Sequence, residues 1–361
     1  MKNLIKIMFI GITALSFSFS LAQAGELTVT GSVKASMATA SSDGSAAAIE
    51  RGRALGITNE FSLGAKGELD NGWNWTYKQD IDGTTVQDDA KLTIGTGVGT
   101  MGIFVSEGGL DADNAASQSV VSRPSDTSYS ESMFDSFDLG GQNTIQYHTP
   151  SGLLPLGASV KVAYAPSMGG AINDYKASGA VNDGSFTASV GTGAAIAQTS
   201  TMGKSATHWR VDLAPVDGLK VGADYLDYDG VVGATAQSPE SGSLYATYAF
   251  GPATIGYSRN YASMALANTI SANLVESVKG RKYSVGLNVN DNLSVSYENE
   301  QSTPDSQTSA TTDYTLKAKG YQAAYTMGGM TLAIAHNQFD NATYTVNKNV
   351  SDTVFSVAMA F

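Results

Sequence analysis

The chain has 361 residues, a net charge of −12, 42% apolar and only 15% charged residues, with 39 Gly, 17 Tyr and no Cys. Soluble domains carry roughly a quarter charged residues. The lack of Cys excludes a disulfide framework, a Cys-based zinc site and a thiol nucleophile, and the acidic balance argues against nucleic acid as a partner.

Residues 1–24 read as a secretory signal peptide. Lys2 and Lys6 form its basic end, Ile7 to Leu21 its apolar run, and Ala22-Gln23-Ala24 its small-x-small cleavage site. Cleavage is expected between Ala24 and Gly25, and loss of the two lysines takes the net charge from −12 to −14. Nothing later approaches the ~18 apolar residues of a spanning helix. A further membrane crossing would therefore use strands.

Period-2 alternation runs from there to the end. The first strand sets Leu27, Val29, Gly31, Val33, Ala35 and Met37 against Thr28, Thr30, Ser32, Lys34 and Ser36. The second spans 55–69, and the third turns Trp73, Trp75 and Tyr77 outward and Asn74, Thr76 and Lys78 inward. Similar segments lie at 88–95, 99–106, 142–149, 157–165, 205–214, 218–228, 242–250, 253–261, 281–289, 293–300, 316–327, 330–339 and 352–361. Tight Gly/Asn turns such as Asp70-Asn71-Gly72 and Gly251-Pro252 alternate with long polar segments, among them 38–53, 107–141, 166–204 and 262–280. The pattern predicts an all-β, transmembrane, antiparallel barrel over 25–361, with short periplasmic turns and long external loops. Sixteen strands are expected. A hairpin of Tyr175–Val181 with Ser185–Val190 about Asn182-Asp183-Gly184 would make eighteen. Tyr248, Phe250, Tyr297, Tyr325 and Phe361 are expected in aromatic girdles. The last strand should pair with the first, because an open edge in lipid is untenable.

The Ala22-Gln23-Ala24 site followed by Leu27-Thr28-Val29-Thr30-Gly31, the Tyr147-His148-Thr149-Pro150 segment and the terminal Phe361 together resemble the general diffusion porins of Gram-negative outer membranes. The resemblance covers 25–361. It implies a homotrimer in outer-membrane lipid, and a terminal strand read through Phe361 by the barrel-assembly machinery. It also implies a third long loop, 107–141, folded into the lumen. The family's Pro-Glu-Phe-Gly-Gly loop tip is absent, its nearest counterpart being Phe137-Asp138-Leu139-Gly140-Gly141.

That loop carries Glu107, Asp111, Asp113, Asp126, Glu131, Asp135 and Asp138 against Arg123 alone. In a constriction these acids would concentrate cations. The bases expected on the opposing wall are Lys34, Lys66, Lys78, Lys91 and Arg210, with Lys220, Lys282 and Lys317 as further candidates. His148, His208 and His336 show no metal-ligand or catalytic spacing, and no cofactor or metal is expected. The sequence thus reads as a water-filled, cation-preferring channel for ions and small hydrophilic solutes, without catalysis. The alternatives are an eighteen-stranded substrate-specific channel, a barrel enzyme with a Ser/Asp–His cluster at its rim, and a secreted soluble β-protein.

Overall fold

Strands in lipid must satisfy every backbone N–H and C=O with one another, since no water is at hand to do so. The computed structural model of the chain describes residues 26–44, 53–82, 89–127, 133–166, 171–173, 176–178, 187–190, 194–197, 204–230, 234, 236–266, 274–308 and 312–361. The strands are β1 Glu26–Gly44, β2 Arg53–Glu68, β3 Asn74–Asp82, β4 Ala90–Thr96, β5 Gly99–Val105, β6 Thr144–His148, β7 Ser159–Ala165, β8 Ala171–Asn173, β9 Lys176–Ser178 and β10 Thr187–Val190. They continue as β11 Ala194–Ala197, β12 Ser205–Val216, β13 Leu219–Asp229, β14 Glu240–Phe250, β15 Ala253–Ser263, β16 Val275–Asn288, β17 Leu293–Ser306, β18 Leu316–Met327, β19 Met330–Asp340 and β20 Lys348–Ala360.

β1–β7 and β12–β20 form one closed antiparallel barrel in sequence order, sixteen strands in all. β20 closes it against β1, paired from Ser32 opposite Ala360 to Gly44 opposite Lys348. The eighteen-stranded alternative falls, because β8–β9 and β10–β11 are separate two-stranded pairs outside the barrel. The expected hairpin pairing differs too: Ser189 and Val190 pair with Ala195 and Ala194, not with the 175–181 segment. Asn182, Asp183 and Gly184 lie outside the described residues, as do Ala24, Gly25 and Glu131.

The register sorts side chains into two sets. One set faces outward: Trp209, Tyr225, Leu244, Tyr248, Ile255, Tyr283, Val285, Tyr325, Ile334, Phe355 and Met359 are all exposed. Apolar exposure on this scale fits a lipid-facing belt. The alternate set faces inward and is polar: Ser243, Lys282, Ser284, Ser296, Glu298, Glu300, Gln322 and Asn337 are buried. At the short-turn end Gly218 has φ 77°, and a Cβ there would sit 2.6 Å from the Ala249 carbonyl oxygen, so only Gly fits.

Several strands outrun their sequence signal. β1 reaches Gly44 instead of Met37, and β16 starts at Val275 instead of 281. The β1 extension pairs regularly with β20, and that of β16 pairs with β17 with one register shift between Val275 and Ser277. Beyond the lipid belt the outer face meets water and carries residues such as Glu276 and Lys279, so the apolar-outward signal fades while the backbone ladder continues.

Candidate functional site: the inner loop and the wall it leaves open

Irregular backbone inside a barrel needs hydrogen-bond partners, and inward side chains supply them to the segment between β5 and β6. The Leu110 N–H donates to His208 Nδ1 (3.3 Å) and the Ala112 N–H to Asp224 (2.8 Å). Ser117 and Ser119 hydroxyls donate to Glu298 at 2.5 and 2.7 Å, and the Ser125 hydroxyl to Glu300 at 2.8 Å. Val120 N–H donates to Ser296 Oγ and Val121 N–H to Gln322 Oε1, each at 2.9 Å. The segment thus crosses the lumen face from β12 to β18. It returns past β17, β15 and β14, where Ser302 Oγ donates to the Phe134 carbonyl (2.6 Å), Asn260 to that of Asp135, and Ser241 Oγ to that of Phe137 (3.0 Å).

Two further contacts fasten it. Phe134, Phe137 and Leu139 pack with the lumen-side Leu226, Tyr228, Val278, Leu316 and Phe339, together with Tyr344, in an apolar cluster. Wall glycines admit the backbone closely: a Cβ on Gly256 would collide with the Ala116 carbonyl oxygen, and one on Gly320 would lie 2.6 Å from Pro124 Cγ.

The centre of the attachment is ionic. Lys282 of β16, buried on the lumen face, donates to Asp113 (2.5 Å), Asp135 (2.8 Å) and Asn114 Oδ1 (3.1 Å). Arg123 pairs with Asp135 and with Asp126 (2.9 Å). Burial alone would raise the Asp135 carboxyl, but the charges of Lys282 and Arg123 outweigh it and hold the pKa at about 2. Asp111 goes the other way. Burial, then the charges of Asp138 and Asp113, push it up to about 7. One of its oxygens is buried without a partner.

The seven expected loop acids therefore occupy different settings. Asp113 and Asp135 are taken up by Lys282 and Arg123, and Glu107 is held by Lys91 (2.7 Å). Asp126 is exposed, Asp111 and Asp138 are half-buried, and Glu131 is not described. The five expected wall bases, Lys34, Lys66, Lys78, Lys91 and Arg210, share the lumen-side register. Three of them have carboxylate partners: Lys78 with Asp80 (2.6 Å), Lys91 with Glu107, and Arg210 with Asp212 (2.9 Å). Lys220 shares the lumen face, whereas Lys317 lies on the outer one. Sequence reasoning missed Lys161, placed opposite Arg210 on the lumen face, and missed Arg123 as the hub of the loop. A lone base among seven acids was the available signal for the second.

The loop is anchored on the inner faces of β12–β18, and across from it β1, β2 and the Val354–Ser356 part of β20 line an open cleft. That cleft is lined jointly by Lys34, Ser36 and Ser356 on the wall and by Val121, Ser122 and Asp126 on the loop. His208 sits beneath the loop, hydrogen-bonded to Asp224 (3.1 Å), and Ser243 donates to that same Asp224 rather than to His208. The imidazole does not meet the hydroxyl, so the order is not that of a Ser–His–Asp relay, and His208 and Asp224 anchor the loop at Leu110 and Ala112.

Comparison with known proteins yields structural likeness only. No family model matches the chain, and no curated protein matches it. Among solved structures it is similar to a porin refined at 1.8 Å (TM-score 0.60, 12% identity, 93% of this chain and 100% of that one). It is similar also to an anion-selective porin from Comamonas acidovorans (TM-score 0.62, 12% identity, 93% and 100%). The outer membrane channel DcaP of Acinetobacter baumannii gives TM-score 0.63, 11% identity, 95% and 99%. Identities this low speak for the fold alone. With the apolar belt and the sixteen-strand closure, they give the chain the transmembrane β-barrel architecture seen in bacterial porins.

Proposed function

We propose that the protein is a passive, water-filled channel for ions and small hydrophilic solutes, with a preference for cations. The observation that carries this is the one-sided course of the inner loop, anchored from β12 to β18 and facing an open cleft on β1, β2 and β20 that Lys34, Ser36 and Ser356 line. Such an arrangement leaves an off-centre passage. Its narrow part would lie between Asp126 and Ser122 on the loop and Lys34 and Ser36 on the wall, and charge there sieves solutes. Glu107, Asp111, Asp113, Glu131, Asp135 and Asp138 would contribute to the field more weakly where paired. Lys66, Lys78, Lys91 and Arg210 would form the basic side. Cation preference rests on the acid excess of the chain, with net charge −12.

Assembly as a homotrimer belongs to the same proposal. An outer membrane protein of Vibrio cholerae with a similar fold (TM-score 0.57, 11% identity) is described in a trimer form. Phe361 would serve the barrel-assembly machinery as a recognition residue, and 1–24 would be the signal peptide. Liposome swelling with sugars of increasing size tests the channel. Size-dependent, non-saturating influx is expected, and liposomes that swell no faster than protein-free ones would refute it.

A further inference from the structure

A second set of cations faces away from the lumen. Along the outer faces of β15, β16 and β18, moving from the short-turn end, the side chains run Ile255-Tyr257-Arg259, Leu287-Val285-Tyr283-Arg281 and Tyr325-Ala323-Tyr321-Lys319-Lys317. Each strand passes from apolar through aromatic to cationic at a similar level. The register joins these levels into rows. Arg259 stands opposite Arg281, Arg281 opposite Gln301, and Gln301 opposite Lys317. Below them the Tyr257 and Tyr283 rings lie 5.2 Å apart, and those of Tyr297 and Tyr321 5.1 Å.

Like charges directly opposite one another destabilise a sheet. Yet neither arginine has a carboxylate. Arg281 donates to the neutral Gln301 Oε1 at 3.0 and 2.7 Å and lies 5.8 Å from the Tyr283 ring centroid. Arg259 and Lys317 are exposed and have no ion pair among the described residues. Of the nearby acids, Asp305 is used by Lys279 (2.9 Å), Asp340, which faces Lys317 across the ladder, is used by Lys319 (3.6 Å), and Glu276 acts on Lys279. Among the described residues the two arginines therefore lack a counter-anion, and the row sits immediately above an aromatic belt, which marks the level of lipid headgroups.

We infer that Arg259, Arg281 and Lys317 bind the phosphate groups of anionic lipids in the outer leaflet. The guanidinium forks suit phosphate oxygens. The apolar strip of Ile255, Val285 and Leu287 beneath them takes the acyl chains, which selects a lipid over free phosphate.

The test is native mass spectrometry of the protein in uncharged detergent, titrated in parallel with phosphatidylglycerol and phosphatidylcholine. Wild type should retain the phosphatidylglycerol preferentially. Each cation near an anionic surface is worth about a factor of five, so Arg259→Gln/Arg281→Gln/Lys317→Gln should weaken that binding on the order of a hundredfold. The lumen pair Lys34→Gln/Lys66→Gln should leave it unchanged. A single Arg259→Gln covers the case of a triple variant that does not fold. Relieved of repulsion, it should melt in uncharged detergent no lower than wild type, and gain less than wild type from phosphatidylglycerol. Equal lipid binding by wild type and the triple variant would overturn the inference. So would full displacement by inorganic phosphate at matched concentration, or equal stabilisation of Arg259→Gln and wild type by the lipid. None of these readouts depends on conductance.

Discussion

Lys282→Gln is the sharpest perturbation of the inner loop. The ammonium is buried and holds Asp113 at 2.5 Å and Asp135 at 2.8 Å, with side chains 2%, 1% and 16% exposed, respectively. Removing one member of such a buried pair costs about 3–5 kcal/mol, because the other charge stays behind unpaired. Asp135 keeps Arg123 as a partner, while Asp113 is left with no ion pair among the described residues. The remaining anchors are the apolar cluster around Phe137 and Leu139 and hydrogen bonds of about 1 kcal/mol each in net terms, spread from Leu110 to Phe137. The barrel should stay closed while the loop detaches near residue 113, its detached fraction rising by a factor on the order of 10²–10⁴. Single-channel recording should show added open-channel noise and larger conductance. Adding Asp113→Asn should restore part of the wild-type trace, since it removes the stranded charge. Wild-type conductance, noise and melting temperature in Lys282→Gln would refute the view that this ionic centre holds the loop.

The other predictions concern neighbouring parts of the same design. Asp111 has a folded pKa raised to about 7, above its unfolded value. Its contribution to loop attachment is thus full below about pH 4 and is lost as pH rises through about 7. Conductance noise should increase across that window, and Asp111→Asn should flatten the profile. Asp135, held at about 2, has the opposite sign and adds a loss only as pH falls from about 4 toward 2. Gly256→Leu should push the Ala116 backbone off the wall and alter conductance with little loss of barrel stability, checked by heat-modifiable mobility on gels. Deleting Phe361 removes its N–H···O bond to Gly31 (3.0 Å), the reciprocal bond (2.9 Å) and a ring contact with Phe61 at 5.7 Å. Insertion yield should fall several-fold, while channels that do insert keep wild-type selectivity. Gly31→Val, whose Cβ would lie 2.8 Å from the Phe361 ring, should reproduce part of that defect.

Much of the barrel was legible because lipid on one side and water on the other impose a two-residue period. Leu27 to Met37, Trp73 to Lys78 and Asp352 to Phe361 announce strand, face and partner together. Where the outer face meets water the apolar-outward signal is lost, so Ala38–Gly44 and Val275–Gly280, the latter with Glu276 and Lys279 exposed, read as loop although their ladders continue. The lumen was harder to read. Its acids are distinguished by partners far away in sequence, as with Asp113 and Lys282, 169 residues apart. Counting seven acids against Arg123 described the loop's composition and missed that Lys282 reaches across to two of them. Phe137 and Leu139 looked like a displaced loop tip, yet they form an apolar anchor against Leu226 and Phe339. The lumen glycines Gly256 and Gly320 carried a usable signal, since Gly inside a strand marks a close backbone approach.

The central claim is a charged, water-filled passage narrowed by the inner loop. Its most direct test is the reversal potential of the protein reconstituted in a planar bilayer under a KCl gradient. Stepwise conductance with a reversal potential toward that of potassium is expected, and Asp126→Asn should move it toward zero. Absence of conductance steps, or a reversal potential on the chloride side, would contradict the account.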